Sequence, residues 1–159
     1  MIFVILGTQK FQLNRLLKEM DKMCENGEIT ETVFAQVGNS DYVPSNYNYA
    51  KFLNKDEFDA AIEKSSLIVT HSGVGSIITA LKYKKPVIVF PRLSKYKEHV
   101  DNHQLEIAET FERKSYVLCY KEGDNLASLI KKAYGYRFEE YVSSKENIIN
   151  IINEFVERI

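Results

Sequence analysis

The sequence predicts an α/β fold, a Rossmann-like, doubly wound parallel sheet with helices on both faces. Strand-length apolar segments alternate with amphipathic helices along the whole chain. The first segment, Ile2–Leu6, is continuously apolar, which is typical of a central strand covered on both faces. A glycine-rich turn separates a strand from a helix in SLIVTHSGVGSIITALKYKKPVIVF, residues 66–90. With 159 residues and no linker or repeat, the chain is predicted to form one domain over residues 1–159.

The first half of the chain predicts three strands and two helices. In order, these are a strand over 2–6, a helix over 11–25, a strand over 32–37, a short strand near 50–53 and a helix up to about residue 64. Gly27 follows the first helix, where glycine readily adopts the left-handed conformation that ends helices. Asn54, with Glu57 three positions later, predicts a capping box at the start of the second helix.

The second half continues the same alternation. It predicts a strand over 66–69, a helix from residue 74, a strand over 87–90, a helix over 101–113, a strand over 116–120 and two more helices. Asp124 is expected to cap the first of these two helices. The last helix spans about residues 144–158, where Ser143 and Glu146 form a capping-box pattern. Its isoleucine-rich face is expected to pack within the chain or on a partner.

Composition narrows the classes of function. The net charge of −1 gives no electrostatic reason to expect a nucleic-acid ligand. Cys24 and Cys119 lie outside any metal-binding spacing, which predicts reduced thiols and a cytoplasmic protein. No apolar segment approaches the ~20 residues that cross a membrane. We therefore expect a soluble chain.

The glycine-rich turn is the main functional feature of the sequence. Gly73 and Gly75 leave backbone N–H groups open at the start of a helix, which favours a bound phosphate. Ser72 and Ser76 can add hydroxyl donors, although a tight turn that merely needs small residues would look the same. Ligands in parallel sheets lie at the carboxyl ends of the strands. Those ends are predicted at Gly7–Lys10, Val37–Ser40, Thr70–Ser76 and Pro91–His103.

His71 stands directly before the glycines. It either bonds locally to the backbone or donates to the oxygens of a bound phosphate. A role as catalytic base is the lesser alternative, because a base must reach the acceptor hydroxyl rather than the donor phosphates. The sequence assigns no other catalytic residue.

A second polar cluster, EHVDNHQ, covers residues 98–104. Asn102, His103 and Gln104 are expected to point at a nucleotide from a second helix N-terminus. One alternative is a polar helix start with Asp101 or Asn102 as cap. A metal site is the other alternative, but it would need His99 and His103 one turn apart on one helix. We expect no metal.

A segment rich in basic residues flanks the predicted strand over residues 87–90. It is either a solvated surface or a face held near anionic lipid or a lipid-linked diphosphate, for which Arg92, Lys95 and Lys97 are the candidates. The basic residues of the segment are Lys82, Lys84, Lys85, Arg92, Lys95 and Lys97, with Glu98 against them.

The segment VTHSGVGSIITALKYKKPVIVFPRLSKYKEHVDNHQLEIAETF resembles the C-terminal, donor-binding domain of glycosyltransferase family 28. FVILGTQKFQLNRLLKEMD and AQVGNSDYVPSNYNYAKFL also fit, so the likeness covers about residues 1–113. The chain is most similar to stand-alone catalytic subunits of bacterial capsule and exopolysaccharide β-1,4-galactosyltransferases. It also resembles the soluble subunit of the eukaryotic dolichol-linked N-acetylglucosaminyltransferase. The implied fold is the C-terminal half of a GT-B glycosyltransferase.

The resemblance implies roles for individual residues. Thr79 matches the position at which some relatives carry a ribose-binding glutamate, and the capsular-type relatives are similar to this chain there. The donor is a UDP-sugar, inversion is the expected stereochemistry, and neither a metal nor another cofactor is expected. Gly7 and Thr8 lie under the diphosphate, which is held by Ser72, Gly73, Gly75 and Ser76. The sugar or nucleotide is contacted by Asn102, His103 and Gln104.

The resemblance also implies a partner. A single domain of this kind supplies a donor site, so a membrane-anchored subunit is expected to hold the lipid-linked saccharide acceptor. The chain is expected to be cytoplasmic and recruited to the inner face of the plasma membrane by this partner, and a homodimer is the alternative considered for the isolated chain. Two alternatives stay open: a non-catalytic nucleotide-sugar-binding or regulatory subunit, and an epimerase-like enzyme. The second requires two domains in one chain and acidic residues in the cleft.

Overall fold

Six parallel strands form one sheet in the computed structural model, which describes residues 1–157. The strands are β1 (Ile2–Ile5), β2 (Val33–Gln36), β3 (Asn48–Ala50), β4 (Leu67–Thr70), β5 (Val87–Val89) and β6 (Leu118–Cys119). Their spatial order is β3-β2-β1-β4-β5-β6, and every neighbouring pair is parallel. The predicted doubly wound sheet is therefore confirmed. Its order reverses between β1 and β4, where such folds bind ligands.

Helices cover both faces of the sheet. They are α1 (Asn14–Glu25), α2 (Lys55–Lys64), α3 (Val74–Lys82), α4 (His103–Arg113), α5 (Leu126–Gly135) and α6 (Lys145–Val156), with a 3-10 turn at Ser94–Tyr96. Alternate residues of β1 face opposite cores. Ile2 and Val4 pack with α1 and α5, whereas Phe3 and Ile5 pack with the other four helices. This two-sided burial explains why β1 is apolar at every position.

Helix α1 begins at Asn14, three residues later than predicted. The side chain of Arg92 accounts for the difference, because its guanidinium donates to the carbonyl oxygens of Phe11 and Gln12. In a helix that began at residue 11, those carbonyls would accept bonds from residues four positions later. Instead, the hydroxyl of Ser40 accepts a 2.9 Å bond from the amide of Leu13 at the helix start.

The helix caps agree with the sequence in one case and differ in two. Asn54 and Glu57 form the predicted capping box of α2. Asp124 accepts a bond from the amide of Lys121 in the preceding turn, so Asn125 caps α5 instead, as its side chain accepts from the amide of Ser128. In α6, the hydroxyl of Ser144, and not that of Ser143, accepts from the amide of Asn147.

Strand β3 lies slightly earlier in the chain than the sequence predicts, and the predicted end of α6 extends beyond the described residues. Strand β3 begins two residues before the predicted segment 50–53 and ends at Ala50, because Asn48–Ala50 pair with Phe34–Gln36. The predicted end of α6 at residue 158 lies outside the described residues. None of the helices within residues 1–157 combines the length and apolar character needed to cross a membrane.

Candidate functional site

A cleft of about 470 Å³ opens beside the carboxyl ends of β1 and β4, at the reversal of strand order. The loops after these two strands form one wall, and the start of α2 forms the other. Among the described residues that line the cleft, none is a carboxylate, and Lys55 is the one cation, paired with Asp59 at 2.6 Å. The lining residues are Ile5, Gly7, Thr8, Gln9, Gln36, Leu53, Asn54, Lys55, Phe58, His71, Gly73, Val74, Gly75 and Ser76.

The imidazole ring of His71 packs against two glycines from different loops. Gly7 adopts a φ of +71°, and a Cβ at this position would lie 2.7 Å from His71 Nε2. A Cβ on Gly73 would overlap Cε1 of the same ring. Because neither position has room for a side chain, both glycine turns lie directly against one ring. The predicted residues Gly7 and Gly73 therefore belong to a single site.

The helix after the second glycine turn begins with backbone donors at the cleft. Gly73 is the N-cap of α3, and no side chain of the described residues caps it. By contrast, Asn54 and Asn125 cap α2 and α5. The residues of the first turn of α3, including Gly75 and Ser76, line the cleft. Their amides and the helix dipole favour a negatively charged ligand at this point.

His71 is buried and is held through both ring nitrogens. Its Nδ1 atom lies 2.8 Å from Nη1 of Arg92 and 3.3 Å from Nε2 of Gln104. Its Nε2 atom lies 3.3 Å from the hydroxyl of Ser76, inside the cleft. Burial, followed by the positive charge of Arg92 and then by His99, lowers the pKa of His71 to about 3. The imidazole is therefore neutral at pH 7.

Arg92 is not at the surface, so its predicted place on a lipid-facing surface is wrong. Its side chain is 1% exposed and runs back beneath the loop after β1. Nη2 donates to the carbonyl oxygens of Leu6 at 2.8 Å and Phe11 at 3.2 Å, in addition to the contact of Nη1 with His71. Burial lowers the pKa of Arg92 to about 10, which still leaves the guanidinium charged at pH 7.

The remaining basic residues do not form one continuous face. Lys82, Lys84 and Lys85 precede β5, whereas Lys95 and Lys97 follow it, so the two groups lie at opposite ends of that strand. Lys84 pairs with Glu140, Lys85 donates to backbone carbonyls, and Lys95 pairs with Glu122. Lys95 and Lys97 are exposed. Their role at a membrane or lipid diphosphate stays a prediction.

The second predicted cluster divides among three environments. Gln104 is buried behind His71, and its Oε1 atom accepts from the amides of Ser72 and Arg92. Asn102 accepts from the amide and hydroxyl of Ser94 and lines a different pocket of about 270 Å³, which includes Arg15, Lys95 and Tyr120. His103 is half-exposed beside Asp101 and Glu106. These three residues are not brought to the cleft together.

The start of α4 resembles the polar helix start considered above. Asp101 accepts from the amide of His103, and this bond lowers the pKa of the Asp101 carboxyl. His99 lies before the helix, 3.1 Å from Asp101 through Nδ1. Within residues 1–157, no group of three or more His, Cys, Asp or Glu residues is arranged to hold a metal ion.

Two predicted ligand residues have their hydroxyls turned away from the cleft. Ser72 is fully buried, and its Oγ atom has no hydrogen-bond partner among the described residues. Thr79 donates to the carbonyl of Gly75 within its own helix at 2.8 Å and does not line the cleft. Their contacts with a ligand stay predictions, and neither side chain reaches the cleft in this conformation.

Sequence reasoning missed the wall formed by the start of α2. Leu53 and Phe58 supply apolar surface, and Gln36 supports that wall by accepting a 3.1 Å bond from the amide of Leu53. It also missed Gly38, with φ +58°, where a Cβ would lie 2.6 Å from the carbonyl oxygen of Gly7. A glycine directly after a strand was the available signal for this close approach.

Solved structures share this architecture. The glycosyltransferase SnogD from Streptomyces nogalater matches 98% of this chain and 39% of its own length, with a TM-score of 0.58 and 17% identity. The solution structure of ALG13 matches with a TM-score of 0.59 and 18% identity over 96% of this chain. At these identities the likeness concerns the fold, which is that of the GT-B glycosyltransferases.

The sequence identifies the family within that class. Residues 1–159 match the glycosyltransferase family 28 C-terminal domain, and the chain belongs to this family. The UDP-N-acetylglucosamine transferase subunit ALG13 of Candida albicans is 35% identical over 109 residues. The subunit of the same name from Yarrowia lipolytica is 31% identical over 102 residues. The matched segments cover 69% and 62% of this chain, and 30% and 50% of those relatives.

Proposed function

We propose that this chain is the UDP-sugar-binding subunit of a glycosyltransferase and that the cleft between β1 and β4 holds the nucleotide. The observation that carries the proposal is the uncapped start of α3, which meets the Gly7 turn over the ring of His71. This arrangement offers several neutral donors to one anion in a cleft without carboxylates among its described lining residues. A nucleoside diphosphate fits that chemistry.

The cleft divides by polarity in a way that suits a nucleotide. The diphosphate is proposed to lie at the amides of Gly75 and Ser76, with the hydroxyl of Ser76 as an additional donor. The nucleoside is proposed to lie along Leu53 and Phe58, which give its flat base an apolar surface. Lys55, at the same wall, is a cation that pairs with Asp59.

The same donors have a role in the transfer reaction. When the bond between the sugar and the diphosphate breaks, negative charge develops on the leaving UDP. Fixed backbone amides and a helix dipole stabilise this charge without reorganising. The chain is therefore proposed to act without a metal or other cofactor. The proposed reaction is transfer of a hexose from the UDP-sugar to an acceptor, with inversion.

The acceptor is proposed to be bound by another subunit. The curated relatives named above are themselves called transferase subunits, which supports a divided enzyme. We propose a membrane-anchored partner that presents a lipid-linked saccharide at the cytoplasmic face of the membrane. The sequence resemblance favours galactose in capsule or exopolysaccharide synthesis, whereas the relatives are named for UDP-N-acetylglucosamine. Donor specificity therefore has to be measured with both sugars.

Titration of the purified chain with UDP tests the nucleotide site. In Ser76→Asp, the new carboxylate stands at the third position of α3, where it favours the helix but repels a phosphate. We expect UDP affinity to fall at least tenfold, or about 1.4 kcal/mol, while folding is retained. Ser128→Asp is the control, because Ser128 occupies the same position of α5 and is exposed. Equal UDP affinities in the two variants would contradict the site.

Co-expression with a membrane-anchored partner tests the division of labour. Transfer from UDP-galactose and from UDP-N-acetylglucosamine to a lipid-linked acceptor is measured for the chain alone and for the pair. We expect UDP binding by the chain alone and sugar transfer only by the pair. Turnover by the isolated chain would contradict the need for a partner, and nucleotide binding without transfer by the pair would favour a regulatory subunit.

A further inference from the structure

The contacts of the two ring nitrogens of His71 indicate which of them carries the proton. We propose that Arg92 and Gln104 are positioning residues that fix the imidazole of His71 with its proton on Nε2, directed at the phosphates of the bound nucleotide. The identity of the ligand in this inference rests on the proposed function. The tautomer rests on the contacts of His71 alone.

The first step concerns the inner nitrogen of the ring. A guanidinium group has five N–H donors and no acceptor. Because Nη1 of Arg92 lies 2.8 Å from Nδ1 of His71, Nδ1 must present its lone pair and carries no proton. A neutral imidazole has one N–H group. That group is therefore at Nε2.

The second step concerns the orientation of the Gln104 amide. Its Oε1 atom lies 3.2 Å from the amide nitrogen of Ser72 and 3.0 Å from that of Arg92, and both nitrogens are donors. Reversal of the amide would place its NH₂ group against two N–H groups. The observed orientation leaves the NH₂ group 3.3 Å from Nδ1 of His71, as a second donor to the same lone pair.

The third step concerns the outer nitrogen. Nε2 lies at the cleft, against the backbone of Gly7 and Gly73 and 3.3 Å from the hydroxyl of Ser76. With the proton on Nε2, this N–H group donates to that hydroxyl. A phosphate oxygen at the start of α3 would be the stronger acceptor, because hydrogen bonds to charged groups are shorter and stronger than neutral ones.

Arg92 also holds the second loop of the same wall, the one after β1. The guanidinium donates to the carbonyl oxygens of Leu6 and Phe11, on both sides of the Gly7 turn. One side chain therefore sets the position of the Gly7 turn and the proton position of His71. This double contact explains the burial of a charged residue next to a cleft that it does not line.

The charges around His71 favour the neutral ring. Arg92 and His99 contribute the charges that act on it, and both disfavour a second proton. The elements that contact the ring in the cleft contribute Gly7, Gly73 and Ser76, which do not titrate. Glu98 acts on Arg92, where it favours the charged guanidinium.

The experiment is ¹⁵N NMR of the histidine ring in the full chain. In the wild type we expect a protonated Nε2 and an unprotonated Nδ1 from pH 8 to pH 5, and we expect added UDP to shift Nε2 more than Nδ1. A ring with its proton on Nδ1, or an equal mixture of tautomers, would overturn the proposal. This measurement needs no variant, so it does not depend on the folding of one.

Gln104→Glu tests whether Gln104 acts through the ring. The variant keeps an acceptor for the amides of Ser72 and Arg92 but places a carboxylate oxygen opposite Nδ1. Because the added negative charge favours the imidazolium, we expect His71 to titrate at higher pH than in the wild type, with the second proton taken up at Nδ1. Asn102→Asp is the control: it adds the same charge at the start of the same helix, where the side chain bonds to Ser94. It should leave the His71 spectrum unchanged.

The outcomes separate this inference from the proposed function. If UDP does not bind while the ring shows the expected tautomer, the proposed function fails. If UDP binds but leaves Nε2 unshifted, the positioning role fails and the nucleotide site stands. A Gln104→Glu spectrum identical to that of the wild type would also overturn the positioning role, because a purely structural glutamine would not control the proton.

Discussion

At the scale of single residues, the site depends on close contacts that leave little room for substitution. His71 occupies the space beside two glycines, and its Nδ1 atom is occupied by Arg92. A neutral, buried ring in this position contributes hydrogen-bond direction rather than charge. The same contacts make the stability of the protein sensitive to pH and to the size of the side chain at position 73.

A methyl group at Gly73 should be costly, whereas one at Gly75 should not. In Gly73→Ala the new Cβ would overlap the His71 ring, so we expect a loss of about 1–3 kcal/mol in the free energy of unfolding. Gly75 lies in the same helix turn with open space around its Cβ position. Alanine favours helix there. Thermal unfolding followed by circular dichroism compares the two, and equal melting temperatures would show that the ring yields at no cost.

His71 should make the protein less stable as the pH falls below about 6.5. Its pKa is lowered from 6.5 to about 3 in the folded state, so the unfolded chain takes up the proton first. The stability it contributes is present above pH 6.5 and is lost toward pH 3, by about 1.4 kcal/mol per pH unit.

The variant His71→Asn checks this dependence. Its amide oxygen can replace Nδ1 as an acceptor, and the side chain does not titrate. Between pH 7 and pH 5, we expect the free energy of unfolding, measured with urea, to fall by about 2 kcal/mol more in the wild type than in the variant. Parallel pH profiles of the two proteins would show that the folded state accepts the proton readily.

At the scale of elements, the segment 91–98 after β5 is anchored to α1 by a partly buried ion pair. Glu98 is 1% exposed and accepts from Nε and Nη2 of Arg15, both at 2.9 Å, and from the amide of Leu93. The guanidinium of Arg15 also stacks on the rings of Phe90 and Tyr96. These contacts hold the chain from Leu93 to Glu98 in place, directly after Arg92.

Removal of the Glu98 carboxylate should therefore be severe. In Glu98→Ala, Arg15 and the amide of Leu93 lose their common acceptor, and we expect a loss of about 3 kcal/mol in the free energy of unfolding. The control is Lys95→Ala, in the same segment. This substitution removes the exposed ion pair of Lys95 with Glu122 and should leave the denaturation midpoint unchanged. Equal effects of the two substitutions would contradict the anchoring role of Glu98.

At the scale of the whole molecule, the alternation of apolar segments and amphipathic helices was sufficient to predict the parallel sheet and the place of the glycine turns. The position of Arg92 was not predictable, because it stands in a segment rich in basic residues and its partners lie at residues 6, 11, 12 and 71. The wall containing Leu53 and Phe58 was missed for the same reason. Local patterns indicate elements, whereas such contacts depend on which strands become neighbours.

The long reach of Arg92 has a consequence for how the protein acquires its site during folding. The guanidinium of Arg92, which follows β5, bonds to carbonyl oxygens on both sides of the Gly7 turn, more than 80 positions earlier in the chain. Gln104, which also contacts His71, lies still further along the chain. Residues 1–90 contain both glycine turns and five of the six strands, β1 to β5, yet they lack Arg92 and Gln104, the two side chains that contact Nδ1 of His71. The cleft is thus complete only when the chain beyond β5 packs against the loop after β1.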